Sequence, residues 1–232
     1  MPGYILHLLH GKMYLNYVER RFSEQETERF RIGLLMPDSN KAARVKDDRS
    51  HFYNDAQKGK ILQIPDLSAF PYCRQLHDPF VLGYAAHLYL DRFFFGEYFQ
   101  QFVQFLDRNG QPTLESGKAD RALLKKTGRS VSIEELFSED YLYGDYTMLN
   151  QYIIRRFDIE PVRCVTFACP VSEVDAHNLE IVLKALDSYL QESNGSIRLR
   201  VFTADSLVQA IERYAFGFSQ WAEGVRMMCG KL

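Results

Sequence analysis

The sequence predicts an all-α fold, a single multi-helix domain over residues 1–232 with one short strand at most. Three observations point there. Apolar residues recur at threes and fours along most of the chain, the period that lays a stripe on one helix face. Ser and Asp residues stand where helix N-caps belong, followed at the right spacing by an acidic residue or a proline. Only IRLRVFTA, residues 197–204, alternates with the period of two that marks a strand. With 46% hydrophobic residues, 17 Phe and 14 Tyr in 232 positions, a large core is within reach and disorder is excluded.

Ile5, Leu8, Leu9, Met13 and Tyr17 place a first helix over residues 5–18. Ser23 with Glu26 forms a capping box for a second helix, which runs through Phe30 to Leu35. Pro37 stops it, because the residue before a proline avoids the α region. Residues 39–78 are polar and lack long periodic segments, so a loop region with a short helix or two is expected. Asp78 and Pro79, as cap and first helical residue, open the apolar segment DPFVLGYAAHLYLDRFFFGEYFQQFVQFL, read as one central helix ending near Asn109-Gly110. Ser132 with Glu135 starts a helix through Phe157, interrupted around Gly144. Ser172 with Asp175 starts another reaching Gln191, and Thr203 or Asp205 caps a last one through about Met228.

Charge and cysteine content narrow the function classes. The net charge of −2, from 28 basic and 30 acidic residues, argues against a general nucleic-acid-binding surface, and the basic run Arg121–Arg129 reads as a solvated loop. The four cysteines form no C-x-x-C pair and read as buried thiols in a reducing compartment. The N-terminus lacks a secretory pattern and no apolar run is long enough for a membrane span, so a cytoplasmic protein is expected.

His87-x-x-x-Asp91 is the sharpest chemical feature. Four residues advance a helix by little more than one turn, so both side chains project from one face and can share a metal ion. The surrounding residues are apolar nearly all round, which marks a buried helix, and a buried carboxylate needs a cation or strong donors. His7, His10, Asp38 and His51 are further candidate ligands, each with a plainer reading as a turn cap, an exposed loop residue or a core histidine.

The succession of an early helical His, GLLMPDS, SHF, DPFVLGYAAHLYLDRFF and YGDYTMLNQYIIRRF resembles the zinc-dependent phospholipase C family, particularly its shorter intracellular bacterial branch, over about residues 1–158. The resemblance implies an all-helical fold similar to that of the single-strand-specific zinc nucleases. It implies that Asp38, His51 and His87 bind one zinc, that Asp91 bridges it to a neighbour, and that His7 rather than His10 serves that neighbour. Secreted members of the family carry a His where this chain has Glu97, and a further His-x-x-x-Glu that is missing here. Glu97 and Asp145 are the substitutes available, so one or two zinc ions are expected rather than three. The activity implied is phosphoester hydrolysis of a small substrate by zinc-activated water, with Asp38 orienting or deprotonating that water. Two other readings stand beside it: an HD-type phosphohydrolase built on His77-Asp78, which Pro79 disfavours, and a non-catalytic helical module with a structural metal.

Overall fold

Local sequence sets where the helices begin. Ser23 accepts from the Glu26 amide while Glu26 accepts from the Ser23 amide at 2.9 Å, and this reciprocal cap starts α2 at Glu24. Asp78 accepts from the amides of Phe80 and Val81 at 2.8 and 3.3 Å, with Pro79 as the first residue of α4. The computed structural model describes residues 3–45, 49–166, 169–191 and 198–229. In chain order its elements are α1 (Tyr4–Leu15), α2 (Glu24–Leu35), α3 (Ser39–Ala42), α4 (Pro79–Phe93), β1 (Val103–Asp107), β2 (Ala119–Leu124), β3 (Arg129–Ser132), α5 (Ile133–Leu136), α6 (Leu142–Phe157), α7 (Leu179–Gln191) and α8 (Ala204–Cys229). Short 3-10 turns punctuate residues 36–75, where a loop region is expected.

Helix α4 is the axis of the molecule. Every residue from Pro79 to Asp91 is buried, and α1, α2 and α8 pack around it. Its crossing with α2 is backbone against backbone. A Cβ on Gly33 would lie 2.1 Å from the Phe80 carbonyl oxygen, and one on Gly83 would lie 2.0 Å from that of Phe30. Only glycine permits this approach. Arg29 of α2 also reaches across to the Asp78 cap at 2.6 Å.

The fold is helix-dominated but not all-α. Strands β1, β2 and β3 form an antiparallel sheet in that order, with Val103 opposite Leu124, Phe105 opposite Ala122, and Ala122 opposite Val131. The predicted central helix leaves α geometry at Phe93, passes through a π turn (Phe94–Tyr98) and a 3-10 turn (Phe99–Gln101), and becomes β1. Aromatic residues at 94, 95, 98, 99 and 102 satisfy the helical count, and they mask the alternation in which Val103 and Phe105 are buried around a half-exposed Gln104. Part of the basic run Arg121–Arg129 lies in β2, with Ala122 and Leu124 inward, and its turn closes at Gly128 with φ +70°.

The strand expected at IRLRVFTA is absent among its described residues, 198–204. The amides of Arg200, Val201 and Phe202 all donate to the Asp145 carboxylate, at 2.7, 2.8 and 2.9 Å, where a sheet would have supplied carbonyls. Ser132 caps α5 as expected, but the break before α6 falls at residues 137–141 and Gly144 lies inside α6. Cys73 and Cys169 are half-buried and Cys164 is exposed, rather than buried as the composition suggested. Among the described residues, no helix is long and apolar enough to cross a membrane.

The crossing generates a stability prediction. Gly33→Ala forces α2 and α4 apart and lowers unfolding free energy by about 3 kcal/mol. Gly224→Ala, in α8 with nothing within 4 Å of the added methyl, raises it by roughly 0.5–1 kcal/mol. Urea unfolding of both variants beside the wild type checks the pair.

Candidate metal centre

Four separate segments converge on one buried point. Helix α4 presents His87 and Asp91 one turn apart, both fully buried. Helix α1 lays the His7 ring on that of His87, with centroids 3.6 Å apart and planes 5° from parallel. Past the end of α2, Pro37 turns the chain into a 3-10 turn that carries Asp38 inward, and a second such turn (Arg49–His51) brings His51. Asp38 and His51 keep 5% exposure each.

Hydrogen bonds behind the rings assign their tautomers. The Leu34 carbonyl lies 2.8 Å from His87 Nδ1, so Nδ1 carries the proton and Nε2 presents a lone pair. The Ser50 hydroxyl donates to the Pro37 carbonyl at 2.8 Å, which leaves its oxygen to accept from His51 Nδ1 at 3.1 Å. His51 Nε2 therefore faces inward bare as well.

Those lone pairs face carboxylate oxygens. His51 Nε2, His87 Nε2 and Asp91 Oδ2 form a triangle with sides of 3.4, 3.5 and 3.6 Å, and Asp38 Oδ1 lies 3.5 Å from His51 Nε2. The other Asp91 oxygen, Oδ1, lies 3.4 Å from His7 Nε2. These separations are long for hydrogen bonds. Asp38 Oδ1, both Asp91 oxygens and both His7 nitrogens have no hydrogen-bond partner among the described residues. They suit a coordination shell instead, because tetrahedral ligands about 2.0–2.1 Å from an ion stand about 3.4 Å from one another. Two buried groups, His7 with His87 and Asp91, and Asp38 with His51 and His87, could hold a metal ion.

The electrostatics couple the carboxylates to the imidazoles. Burial pushes the Asp91 carboxyl up, yet His87 and His7 outweigh it and hold Asp91 well below the usual carboxylate range. Asp38 is likewise held down by His51 and His87 against its burial. Burial pulls His87 down, but the Asp91 charge reverses this and raises it, while burial and the neighbouring His87 lower His7.

The remaining candidates lie outside these groups. His10 is fully buried between Tyr89 and Phe218, and burial, with His7 beside it, pushes it down to about 3. Glu97 is exposed on the π turn. The Asp145 carboxylate is occupied by three amides. His77 is exposed and Asp78 is a helix cap paired with Arg29, so that dyad does not form a site. Sequence reasoning missed Ser50 and the Leu34 carbonyl. A serine directly before a candidate ligand was a usable signal, but a backbone carbonyl gives none.

A groove of about 560 Å³ runs between the start of α1, α3, α6 and α7, and Asp38 lines it together with Tyr4, Lys41, Tyr146, Asn150 and Tyr189. A larger cavity, about 630 Å³, lies between α1, α2 and residues 158–163 and contains none of the cluster. Its cations are already engaged: Lys12 with the Phe157 and Asp158 carbonyls, Arg31 with Glu28, and Arg163 with Glu24.

Two predictions arise from this geometry. His51→Ala abolishes tight binding of one divalent ion, whereas His7→Leu leaves it within about tenfold, because Asp38, His51, His87 and Asp91 stay in place; metal titration of the folded variants checks this. The second concerns His10, whose folded value lies below its unfolded value of 6.5. The unfolded chain binds the extra proton, so this contribution to stability is complete above pH 6.5 and is lost as pH falls toward about 3, at about 1.4 kcal/mol per unit. His10→Leu flattens that slope in urea unfolding at pH 7, 6 and 5. Comparison of the chain with protein-family models, curated proteins and solved structures finds no match.

Proposed function

We propose that the protein is a metal-dependent phosphoester hydrolase that uses zinc at the His/Asp centre. The observation that carries this reading is the convergence of the His51 and His87 nitrogens with the Asp38 and Asp91 carboxylates at 3.4–3.6 Å, with Asp38 Oδ1 and both Asp91 oxygens unpaired by hydrogen bonds among the described residues and Asp38 also lining an open groove. The donor set of imidazole nitrogens and carboxylate oxygens suits zinc. Zinc held there acidifies water and polarises a phosphoryl oxygen. The rest falls to the chain itself. His87 and His51 are oriented by Leu34 and Ser50, the apolar walls of α4 exclude bulk water, and Asp38, on the groove side, orients water and takes its proton. The resemblance of the ligand-bearing segments to the zinc-dependent phospholipase C family supports zinc and a phosphoester substrate. It does not extend to the three-stranded sheet.

Full burial of His7, His87 and Asp91 favours a second reading, a structural metal in a non-catalytic module. Hydrolysis of bis(p-nitrophenyl) phosphate separates the two. The hydrolase reading expects turnover that chelator abolishes and zinc restores, with kcat in Asp38→Asn lowered about 10²-fold or more. Zinc-loaded, folded protein without turnover, or turnover indifferent to Asp38→Asn, overturns it.

A further inference from the structure

Tyr146 sits on α6 beside the groove, and its hydroxyl has no role in holding the fold. The residue is 9% exposed and its hydroxyl oxygen is buried, with no hydrogen-bond partner among the described residues. Leaving a buried phenol unpaired destabilises a fold. Nothing in its surroundings explains why phenylalanine would not serve better, since the ring itself packs on Phe202 with centroids 6.0 Å apart. Its placement is rigid. The adjacent Asp145 is fixed by three amides of the segment that leads into α8, which locks the first turn of α6.

The same phenol belongs to both features of the proposed site. Tyr146 lines the groove that Asp38 lines, and the Asp91 carboxylate acts on it from the interior. Burial, reinforced by that negative charge, raises its ionisation well above the usual phenol value, so it stays protonated and can donate at neutral pH. Lys41, exposed on the groove wall, adds a positive charge there, and Glu139, also exposed, lines the same groove. A protonated donor, a lysine on the groove wall and a centre able to hold a metal together suit an anion whose oxygens need both a metal and a hydrogen bond.

We propose that Tyr146 is a substrate-binding residue whose hydroxyl donates a hydrogen bond to an oxygen of a phosphoryl group seated at the metal centre, with the Lys41 groove as its entry. This rests on the proposed function above. The pairing of a buried phenol with no structural partner and a groove leading to the ligand cluster carries it.

The test uses the full chain loaded with cobalt(II), titrated with inorganic phosphate and followed by the visible absorption of the metal. Wild-type protein is expected to bind phosphate. Tyr146→Phe should weaken that binding about 10- to 100-fold, as loss of a hydrogen bond to a charged group does. Cobalt stoichiometry and the phosphate-free spectrum should stay unchanged, and the melting temperature should hold or rise. Binding within about twofold of wild type overturns the proposal. So does unfolding or loss of cobalt in Tyr146→Phe, which would give the hydroxyl a structural task. No phosphate binding by the loaded wild type overturns both this assignment and the hydrolase reading. Tyr146-dependent phosphate binding without phosphodiester turnover overturns the hydrolase reading alone.

Discussion

The bare contact between α2 and α4 at Gly33 and Gly83 is the constraint on which the rest of the molecule depends. With side chains at either position the helices would stand further apart, and the Leu34 carbonyl could not lie 2.8 Å from His87 Nδ1. That bond decides which nitrogen of His87 faces the cluster. The crossing also delivers the C-terminal end of α2 to the middle of α4, so the turn through Pro37 emerges beside Asp91 and drops Asp38 into place. Two glycines thus connect sequence to site: they set an interhelical distance, the distance sets a tautomer, and the tautomer leaves a lone pair.

The centre is held by the stability of its surroundings rather than by its own contacts. The Asp38 charge stands against that of Asp91, and His7 against His87, and a low-dielectric interior strengthens both conflicts, while the His–Asp pairs between them offset part of it. The packed apolar faces of α1, α2, α4 and α8 hold the arrangement together. Such stored conflict is what an ion relieves, and proteins keep it only where surrounding structure over-determines the geometry. Placing the ligands on rigid elements rather than long loops serves the same end.

The parts of the fold that were legible in the sequence are those written in local chemistry. Ser23 with Glu26 and Asp78 with Pro79 mark helix starts because capping is decided within four residues. The spacing of His87 and Asp91 is readable for the same reason. The sheet is not, since aromatic residues from Phe94 to Phe105 fit a helical period and an alternating one equally, and only the π turn after Phe93 breaks the tie. Asp145 looked like a spare ligand because its partners, three backbone amides some 55 residues away, have no side-chain signature. Convergence of His7, Asp38 and His51 on α4 is likewise a property of packing, and spacing along the chain says nothing of it. Tyr146 was one tyrosine among 14 until its hydroxyl proved to be solitary.

His87 stands in both candidate groups, and its Nδ1 is tied to Leu34. An imidazole in that state has one electron pair to give. Two occupants would be rivals for it, so the two groups would not bind an ion alike. An ion given the His87 pair would have His51 and Asp38 beside it, and one without it would have to rely on His7 and the far oxygen of Asp91. The pocket is therefore an unequal pair of berths, one sealed at His7 and Asp91 and one that keeps a trace of solvent at Asp38 and His51.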